Sequence, residues 1–329
     1  MRELLGRVYA ALPPIYGTNR PVYVASGAAT GMMESAIRCG TRSRVLSLVC
    51  GAFGERFARI AESCGRAVTR LVAPPGDTVS AEALADALEH GHYDAVTAVH
   101  VETSTGAMAD IAQYGRAIAA HDDVLLLIDA VSSVGGVETG MDDARVDIVL
   151  AASQKALALP PGLSFISCSV RAMERARGLA DRGVYLDVVR MDEYWRQGET
   201  AGTPAIPQLF ALDAQLAAIA REGLAARYAR HAAMAGVVHA WVADAAAQGR
   251  GVALLAPADV RAPTVSCLAI DNDAARVAHL LRGHGFEVGA GYGSLVSSTI
   301  RIGHMGDHTV REVKQLLAAL DHALDDLAA

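Results

Sequence analysis

Short apolar runs alternate with amphipathic stretches from residue 22 to about residue 180, and this alternation restricts the fold more than any other feature of the chain. The apolar runs predict β-strands at 22–25, 45–49, 67–72, 95–101, 124–128, 147–151 and 163–168. The amphipathic stretches predict helices at 31–39, 53–64, 80–90, 109–121 and 171–180. Strands that alternate with helices favour a mainly parallel sheet with helices on both faces. We therefore predict an α/β fold with a large domain built on a seven-stranded, mainly parallel sheet.

The pattern changes after about residue 206. The predicted elements are then two long helices, at 206–221 and 223–247, and three shorter strands, near 264–270, 286–289 and 299–303. The last helix begins with a capping box formed by Thr309 and Glu312, a pattern typical of helix N-termini. The sequence thus predicts two domains, a large one over 1–222 and a smaller α+β one over 223–329.

Composition excludes several classes of function. The 329-residue chain has a formal net charge of −7, which argues against nucleic-acid binding and leaves no basic patch for a membrane surface. No apolar stretch approaches the length of a bilayer span, and the N-terminus lacks the apolar core of a signal peptide. The cysteines have no CxxC spacing, so they indicate neither a metal site nor a disulfide framework; they are Cys39, Cys50, Cys64, Cys168 and Cys267. We predict a cytoplasmic protein.

Lys155 is the first candidate catalytic residue. It follows one apolar run, and the turn-like Pro160-Pro161-Gly162 separates it from the next. A lysine held between two core strands is partly desolvated, which lowers the pKa of its ammonium group. Such a lysine can form a Schiff base or act as a general base.

Asp129 is the second candidate, because it ends the apolar run 124–128. A buried carboxylate needs a cationic partner, although an aspartate considered alone here is better explained as a helix N-cap or a strand-end hydrogen bond. Asp129 and Lys155 both fall at the carboxyl ends of predicted strands, where open α/β sheets bind ligands. Together they favour a pyridoxal phosphate site, in which the protonated pyridine nitrogen is the partner of the aspartate.

Several motifs in a fixed order resemble one known family, the class V aminotransferases of pyridoxal phosphate fold type I. The resemblance is strongest to the alanine–glyoxylate and serine–pyruvate aminotransferase branch. The motifs are SGAATGMMESAI at 26–37, CGAFGERF at 50–57, HVETSTG at 100–106, IDAVSSVGG at 128–136, SQKALALPPG at 153–162, GTPAIP at 202–207 and IRIGHMG at 300–306.

The resemblance implies where the cofactor phosphate would bind. Ala28, Ala29 and Thr30 lie between a predicted strand and a predicted helix, and the family uses this segment to contact the phosphate. Small residues here let backbone N–H groups approach an anion at the positive end of the helix. Two alanines replace the residues that are more common in the family, so the backbone and Thr30 would supply the contacts.

The resemblance also implies which residues surround the cofactor ring. Phe53 would stack on the pyridine ring, as an aromatic residue does at this position in the family. Thr105 would donate a hydrogen bond to the pyridine hydroxyl or lie on the substrate side, with Ser104 beside it. Gln154 would donate to the ring or the phosphate, and it favours transamination because cysteine desulfurases usually have histidine there.

Two further residues extend the predicted site. The resemblance implies that Thr203 reaches the phosphate of a partner subunit's cofactor, and hence that the protein is a homodimer with active sites at the interface. Arg301 would bind the α-carboxylate of the substrate, a task suited to the two-pronged guanidinium group.

The implied activity is transfer of an amino group from a small amino acid, of the alanine or serine type, to glyoxylate or pyruvate by a ping-pong mechanism. The alternatives are a lyase or desulfurase on the same scaffold, a specialised biosynthetic transaminase with a larger substrate, and a non-catalytic dimeric relative. Family members usually have a Gly/Pro-rich N-terminal segment that lines the substrate pocket. In a chain that begins after it, we expect the pocket to be more open, to accept a larger substrate, or to be completed by another protein.

Overall fold

The computed structural model describes residues 1–271 and 273–328. Its strands are β1 (Val22–Ser26), β2 (Arg44–Val49), β3 (Ala67–Val72), β4 (Ala95–Val99), β5 (Val101–Glu102), β6 (Ala107–Met108), β7 (Leu125–Asp129), β8 (Ile148–Ala152), β9 (Leu163–Cys168), β10 (Val252–Leu254), β11 (Val265–Ile270), β12 (Gly289–Ala290) and β13 (Thr299–Gly303). Its α-helices are α1 (Arg2–Ala11), α2 (Ala29–Gly40), α3 (Ala52–Ser63), α4 (Ala81–His90), α5 (Ile111–Ile118), α6 (Val170–Arg177), α7 (Val188–Arg196), α8 (Ile206–Glu222), α9 (Leu224–Ala247), α10 (Ala274–Gly283) and α11 (Val310–Ala328).

The main sheet has seven strands in the order β1-β9-β8-β7-β4-β2-β3. The pairs among β8, β7, β4, β2 and β3 are parallel, whereas β9 runs antiparallel to both of its neighbours. β9 reverses because only a short turn joins it to β8, and a parallel return needs a much longer crossover. The predicted seven-stranded, mainly parallel α/β fold is confirmed.

Helices cover both faces of this sheet. Leu126 and Ile128 of β7 pack in a hydrophobic cluster with residues of α1, α4, α5 and α8. Leu125 and Leu127 pack on the other face, in a cluster with residues of α2, α3, α6 and α7. Successive side chains of a strand point to opposite faces, so a strand buried on both sides has the unbroken apolar run from which β7 is predicted.

The predicted strand at 95–101 ends earlier than expected, because the chain turns at His100. The N–H of His100 donates a 2.9 Å hydrogen bond to the carbonyl of Asp129, which fixes the end of β4 beside the end of β7. Val101 and Glu102 then form the short strand β5, which pairs with β6. This hairpin carries the polar segment 102–105 to the carboxyl edge of the main sheet.

The chain from β10 onward forms a second sheet, fully antiparallel, in the order β10-β11-β13-β12. Its hydrophobic cluster draws on α9, α10 and α11 and is separate from the two clusters around the main sheet. The capping box of α11 is confirmed: Glu312 accepts a 2.7 Å hydrogen bond from the N–H of Thr309, and the Thr309 hydroxyl accepts a 3.3 Å bond from the N–H of Glu312.

Some expectations for the boundaries were wrong. The run at 286–289 predicts a strand, but pairing begins only at Gly289. The N–H of Phe286 instead donates a 2.9 Å hydrogen bond to the carbonyl of Leu281, in the turn that ends α10. The sequence patterns give no prediction for α7, α10 and β10. Among the described residues, no helix is long and apolar enough to cross a membrane.

Candidate active site

Asp129 and Lys155 meet at the carboxyl edge of the main sheet. Asp129 is the last residue of β7, and Lys155 lies in the turn that joins β8 to β9. Because β7 and β8 are parallel neighbours, their carboxyl ends open on the same side of the sheet. The structure thus brings together the two residues singled out by the strand pattern.

The Asp129 carboxyl group is buried, with only 3% of the residue exposed. Its Oδ1 accepts a 2.9 Å hydrogen bond from the N–H of Val131. Burial raises the pKa of Asp129 to about 7, and the negative charge of Glu102 acts in the same direction. The Val131 hydrogen bond and the positive charges of Lys155 and Arg56 only partly offset this rise. Such a carboxyl group is poised to share a proton with a base placed against it.

Lys155 is half-buried. Burial lowers the pKa of its ammonium group, and the positive charge of Arg301 lowers it further, while Asp129 and Glu102 act in the opposite direction. A lower pKa increases the fraction of neutral amine, which is the form that attacks a carbonyl carbon or accepts a proton. The local environment therefore suits a nucleophilic or basic lysine.

Arg301 extends towards this edge from β13. Its Nε donates a 2.8 Å hydrogen bond to the carbonyl of Ala290, and its guanidinium carbon lies 5.6 Å from the ring centroid of Tyr292. Neither terminal nitrogen has a hydrogen-bond partner among the described residues. The backbone and the ring orient the guanidinium, and its terminal nitrogens remain available to a carboxylate.

The start of α2 lies at the carboxyl end of β1. Ala28 is the N-cap residue and makes no side-chain capping hydrogen bond, and no other side chain of the described residues binds the first N–H groups of this helix. Ala28 and Thr30 are exposed, and Ala29 is half-buried. An uncapped N-terminus with small residues can accept a phosphate.

Comparison with known proteins gives the family. The model of the aminotransferase class V family matches residues 52–316 of this chain. The chain belongs to the class V aminotransferases. The match covers Asp129, Lys155 and Arg301, so the residues brought together in space also lie within the family's region.

Individual relatives of this aminotransferase resemble it over nearly its whole length. An uncharacterised aminotransferase of Methanocaldococcus jannaschii is 32% identical, over 99% of this chain and 85% of the relative. The L-aspartate–glyoxylate aminotransferase of Paracoccus denitrificans is 31% identical, over 94% of this chain and 80% of the relative. The crystal structure of an alanine–glyoxylate aminotransferase from Nostoc sp. superposes with a TM-score of 0.92 at 32% identity, covering 98% of this chain and 87% of the other.

This aminotransferase is an enzyme dependent on pyridoxal phosphate, as its family is. The residues at the carboxyl edge fit that cofactor. Asp129 offers a buried carboxyl group to a pyridine nitrogen, Lys155 offers an amine to an aldehyde, and the uncapped start of α2 offers N–H groups to a phosphate. When bound, pyridoxal phosphate draws electrons from the substrate Cα and so acidifies the proton there.

Phe53 lies in the first turn of α3, beside one cation and a second aromatic ring. The guanidinium carbon of Arg56 is 4.8 Å from the Phe53 ring centroid, and the centroids of Phe53 and Tyr292 are 5.5 Å apart. Arg56 also donates a 2.7 Å hydrogen bond to the Tyr292 hydroxyl. Tyr292 and Arg56 were not predicted as site residues, because Tyr292 comes from a distant loop and Arg56 resembles an ordinary surface residue of a helix.

The other predicted site residues differ in burial. Thr105 is buried and its hydroxyl donates a 3.3 Å hydrogen bond to the carbonyl of Cys50, whereas Gln154 and Thr203 are exposed. The carbonyl of Thr203 accepts a 3.1 Å hydrogen bond from the Ser26 hydroxyl. Thr203 therefore lies beside the start of α2 of its own chain, while its contact with a partner subunit stays a prediction.

Glu102 is a buried residue of the site, and the sequence motifs did not single it out. It is fully buried and links Ser104 to the start of α3 through hydrogen bonds from Phe53, Gly54 and Ser104. Its place at the end of a predicted strand, beside the hydroxyl residues, is the sequence feature from which it could have been found.

Proposed function

We propose that this aminotransferase moves an amino group from a small amino acid, of the alanine or serine type, to glyoxylate or pyruvate. The observation that carries the proposal is the placement of Arg301, whose charge acts on Lys155 and whose terminal nitrogens have no partner among the described residues. An α-amino acid held by its carboxylate on Arg301 would present its Cα proton to the Lys155 amine. The names of relatives that use alanine or aspartate with glyoxylate support the same class of reaction.

Each candidate residue has one task in this proposal. Arg301 binds and orients the substrate carboxylate. Lys155 takes the proton from Cα and later returns a proton, which its lowered pKa favours. Asp129 would hold positive charge at the pyridine nitrogen, because a cation beside this buried carboxyl group stabilises its ionised form.

The proposed kinetics are ping-pong. The amino donor and the 2-oxo acid would use the same Arg301 and the same Lys155, so the first product leaves before the second substrate binds. Parallel lines in double-reciprocal plots, measured with alanine and glyoxylate, would support this mechanism. Intersecting lines would contradict it.

A spectroscopic experiment tests the proposed reaction. The protein is loaded with pyridoxal phosphate and its absorption spectrum is recorded before and after L-alanine, L-serine or L-aspartate is added. We expect the band of the lysine-bound cofactor to convert to the band of the aminated cofactor with a small donor, and to return with glyoxylate or pyruvate. A bound cofactor that responds to none of these donors would contradict the substrate class and favour a transaminase with a larger substrate.

The cysteines favour transamination over desulfuration. A desulfurase needs an accessible, reactive thiolate, whereas Cys39, Cys50, Cys168 and Cys267 are buried and Cys64 is half-buried. Burial raises the pKa of every one of these thiols. No sulfur acceptor is therefore available among them at neutral pH.

Three further expectations remain part of this proposal: a homodimer in which Thr203 reaches the partner's cofactor, a cytoplasmic location, and a division into domains at 222/223. The separate hydrophobic cluster that begins in α9 supports the division. The homodimer is tested by sedimentation, together with the loss of cofactor affinity in a Thr203→Ala variant.

A further inference from the structure

Glu102 links two segments that approach the active site from different parts of the chain. We propose that Glu102 is a positioning residue of the active site, whose carboxylate fixes the start of α3, and with it the Phe53 ring, against the segment that carries Ser104 and Thr105. This inference rests on the proposed function only in that it takes Phe53 to be the residue that stacks on the cofactor.

Both carboxylate oxygens of Glu102 are fully used. Oε2 accepts hydrogen bonds from the N–H groups of Phe53 and Gly54, at 3.0 and 3.1 Å. Oε1 accepts hydrogen bonds from the N–H and the hydroxyl of Ser104, at 3.0 and 2.5 Å. One buried side chain therefore binds the first turn of α3 and the 102–105 segment together.

The cap of α3 comes from outside the helix. Its N-cap residue is Gly51, which has no side chain with which to bind the first N–H groups. Ser104 binds the N–H of Ala52 at 2.9 Å, and Glu102 binds the next two. The first turn of a helix has free N–H groups and a positive end, so an anion at this place orients the turn strongly.

Gly51 leaves the space that this arrangement requires. A Cβ atom at position 51 would lie 2.4 Å from the Ser104 hydroxyl oxygen and 2.5 Å from Cγ of Glu102. Any larger residue would push the 102–104 segment away from the helix. The sequence feature Gly51-x-Phe53 and the carboxylate of Glu102 are thus one structural unit.

A neutral side chain cannot replace the carboxylate of Glu102 without the loss of hydrogen bonds. Glutamine has one acceptor oxygen and one donor –NH₂ group, so its amide would face either the two helix N–H groups or the two donors of Ser104. One pair of hydrogen bonds would be lost, and the first turn of α3 would separate from the segment.

The charge of Glu102 also acts on the reacting groups. It adds to the burial-driven rise in the pKa of Asp129, and it opposes the burial-driven fall in the pKa of Lys155. Two other charged groups act on this pair, Arg56 of α3 on Asp129 and Arg301 of β13 on Lys155. Removal of the Glu102 charge should therefore change the pH dependence of the cofactor spectrum as well as its affinity.

The test uses the Glu102→Gln variant, with Glu312→Gln as the matched control. Glu312 also accepts hydrogen bonds at a helix N-terminus, in α11. Amide hydrogen exchange is measured on the cofactor-free proteins, and the dissociation constant and pH titration of pyridoxal phosphate are measured by absorption. We expect Glu102→Gln to accelerate amide hydrogen exchange at residues 52–54 and to weaken pyridoxal phosphate binding by about tenfold. It should also shift the pH titration of the cofactor's absorption spectrum. Glu312→Gln should have none of these effects.

A second variant, Gly51→Ala, and the transamination activity of the wild-type protein complete the test. Gly51→Ala keeps the charge but displaces the segment, so we expect faster exchange at 52–54 and weaker binding even if Glu102→Gln does not fold. Unchanged exchange in both variants, or faster exchange with unchanged cofactor affinity, would overturn the proposal. Wild-type protein that binds pyridoxal phosphate but fails to transaminate would defeat the proposed substrates alone, because the exchange and affinity differences do not depend on turnover.

Discussion

The guanidinium of Arg227 donates a 2.6 Å hydrogen bond to the carbonyl of Ala156, the residue that follows Lys155. Arg227 belongs to α9, yet it is only 1% exposed and also donates to the carbonyl of Gly135 at 2.9 Å. Glu222 and Asp307 balance its charge. The turn that carries Lys155 is thus held in place by a helix that lies beyond the predicted domain boundary.

Replacement of Arg227 should destabilise the protein. Arg227→Met would leave the buried carbonyls of Gly135 and Ala156 without donors, whereas Glu222 keeps its pair with Arg230. Two unsatisfied buried acceptors cost about 3 kcal/mol together. The free energy of unfolding in urea measures the effect. Arg282→Met is the control, because Arg282 forms an exposed pair with Glu287 and we expect a change below about 0.5 kcal/mol. Equal effects of the two variants would contradict the structural role of Arg227.

Lys155 should be the only lysine that binds the cofactor. The chain contains two lysines, Lys155 and Lys314, and Lys314 is exposed on α11. Borohydride reduction of the loaded protein, followed by peptide mapping, should therefore find the cofactor on Lys155 alone. Lys155→Ala should reduce transamination by at least about 10³-fold, and Lys314→Ala should leave it unchanged. Cofactor fixed on Lys314 would refute the assignment.

The carboxyl group of Asp129 should make the cofactor-free protein less stable as the pH rises. Burial raises its pKa from the ordinary 3.8 to about 7, so between these values the folded protein keeps a proton that the unfolded chain has lost. The contribution of Asp129 to stability therefore falls as the pH rises through this window and is constant above it. This pKa shift corresponds to a decrease on the order of 4 kcal/mol in the Asp129 contribution to the free energy of unfolding.

Asp129→Asn should remove this dependence on pH. The asparagine oxygen can still accept the hydrogen bond from Val131, but the side chain has no proton to lose. The buried histidines His100, His231 and His304 titrate in both proteins, so the difference between variant and wild type reports on Asp129. Urea unfolding from about pH 4 to about pH 8 should show the variant gaining stability relative to wild type, together with weaker cofactor binding. Identical slopes in the two proteins would show that Asp129 does not titrate in this window.

Arg301→Lys should impair substrate binding more than cofactor binding. Lysine lacks the planar fork of arginine and cannot make two parallel hydrogen bonds to a carboxylate. We expect KM for both the amino donor and the 2-oxo acid to rise about 10- to 100-fold, with little change in the affinity for pyridoxal phosphate. Arg276→Lys, at an exposed position on α10, is the control. An unchanged KM for both substrates would remove Arg301 from the substrate site.

Much of the fold could be predicted because burial leaves a local pattern in the sequence. β7 and β8 are buried along their whole length, and such strands have continuous apolar runs that are visible without any knowledge of neighbours. The capping box of α11 likewise involves only Thr309 and Glu312, which are close in sequence. The strand end at Asp129 and the turn that carries Lys155 follow directly from such local patterns.

The remainder of the site could not be predicted, because it depends on contacts between segments that are distant in sequence. Glu102 caps α3, Tyr292 packs on Phe53, and Arg227 holds the carbonyl of Ala156. Each of these contacts spans a long stretch of chain and exists only once the hairpin, the antiparallel sheet and α9 have packed around the main sheet. The sequence by itself determined the class of fold and the positions of Asp129 and Lys155 at the carboxyl edge of the main sheet. The tertiary structure alone decided which distant side chains orient them, because hydrophobic period and local capping carry no information about such long-range pairs.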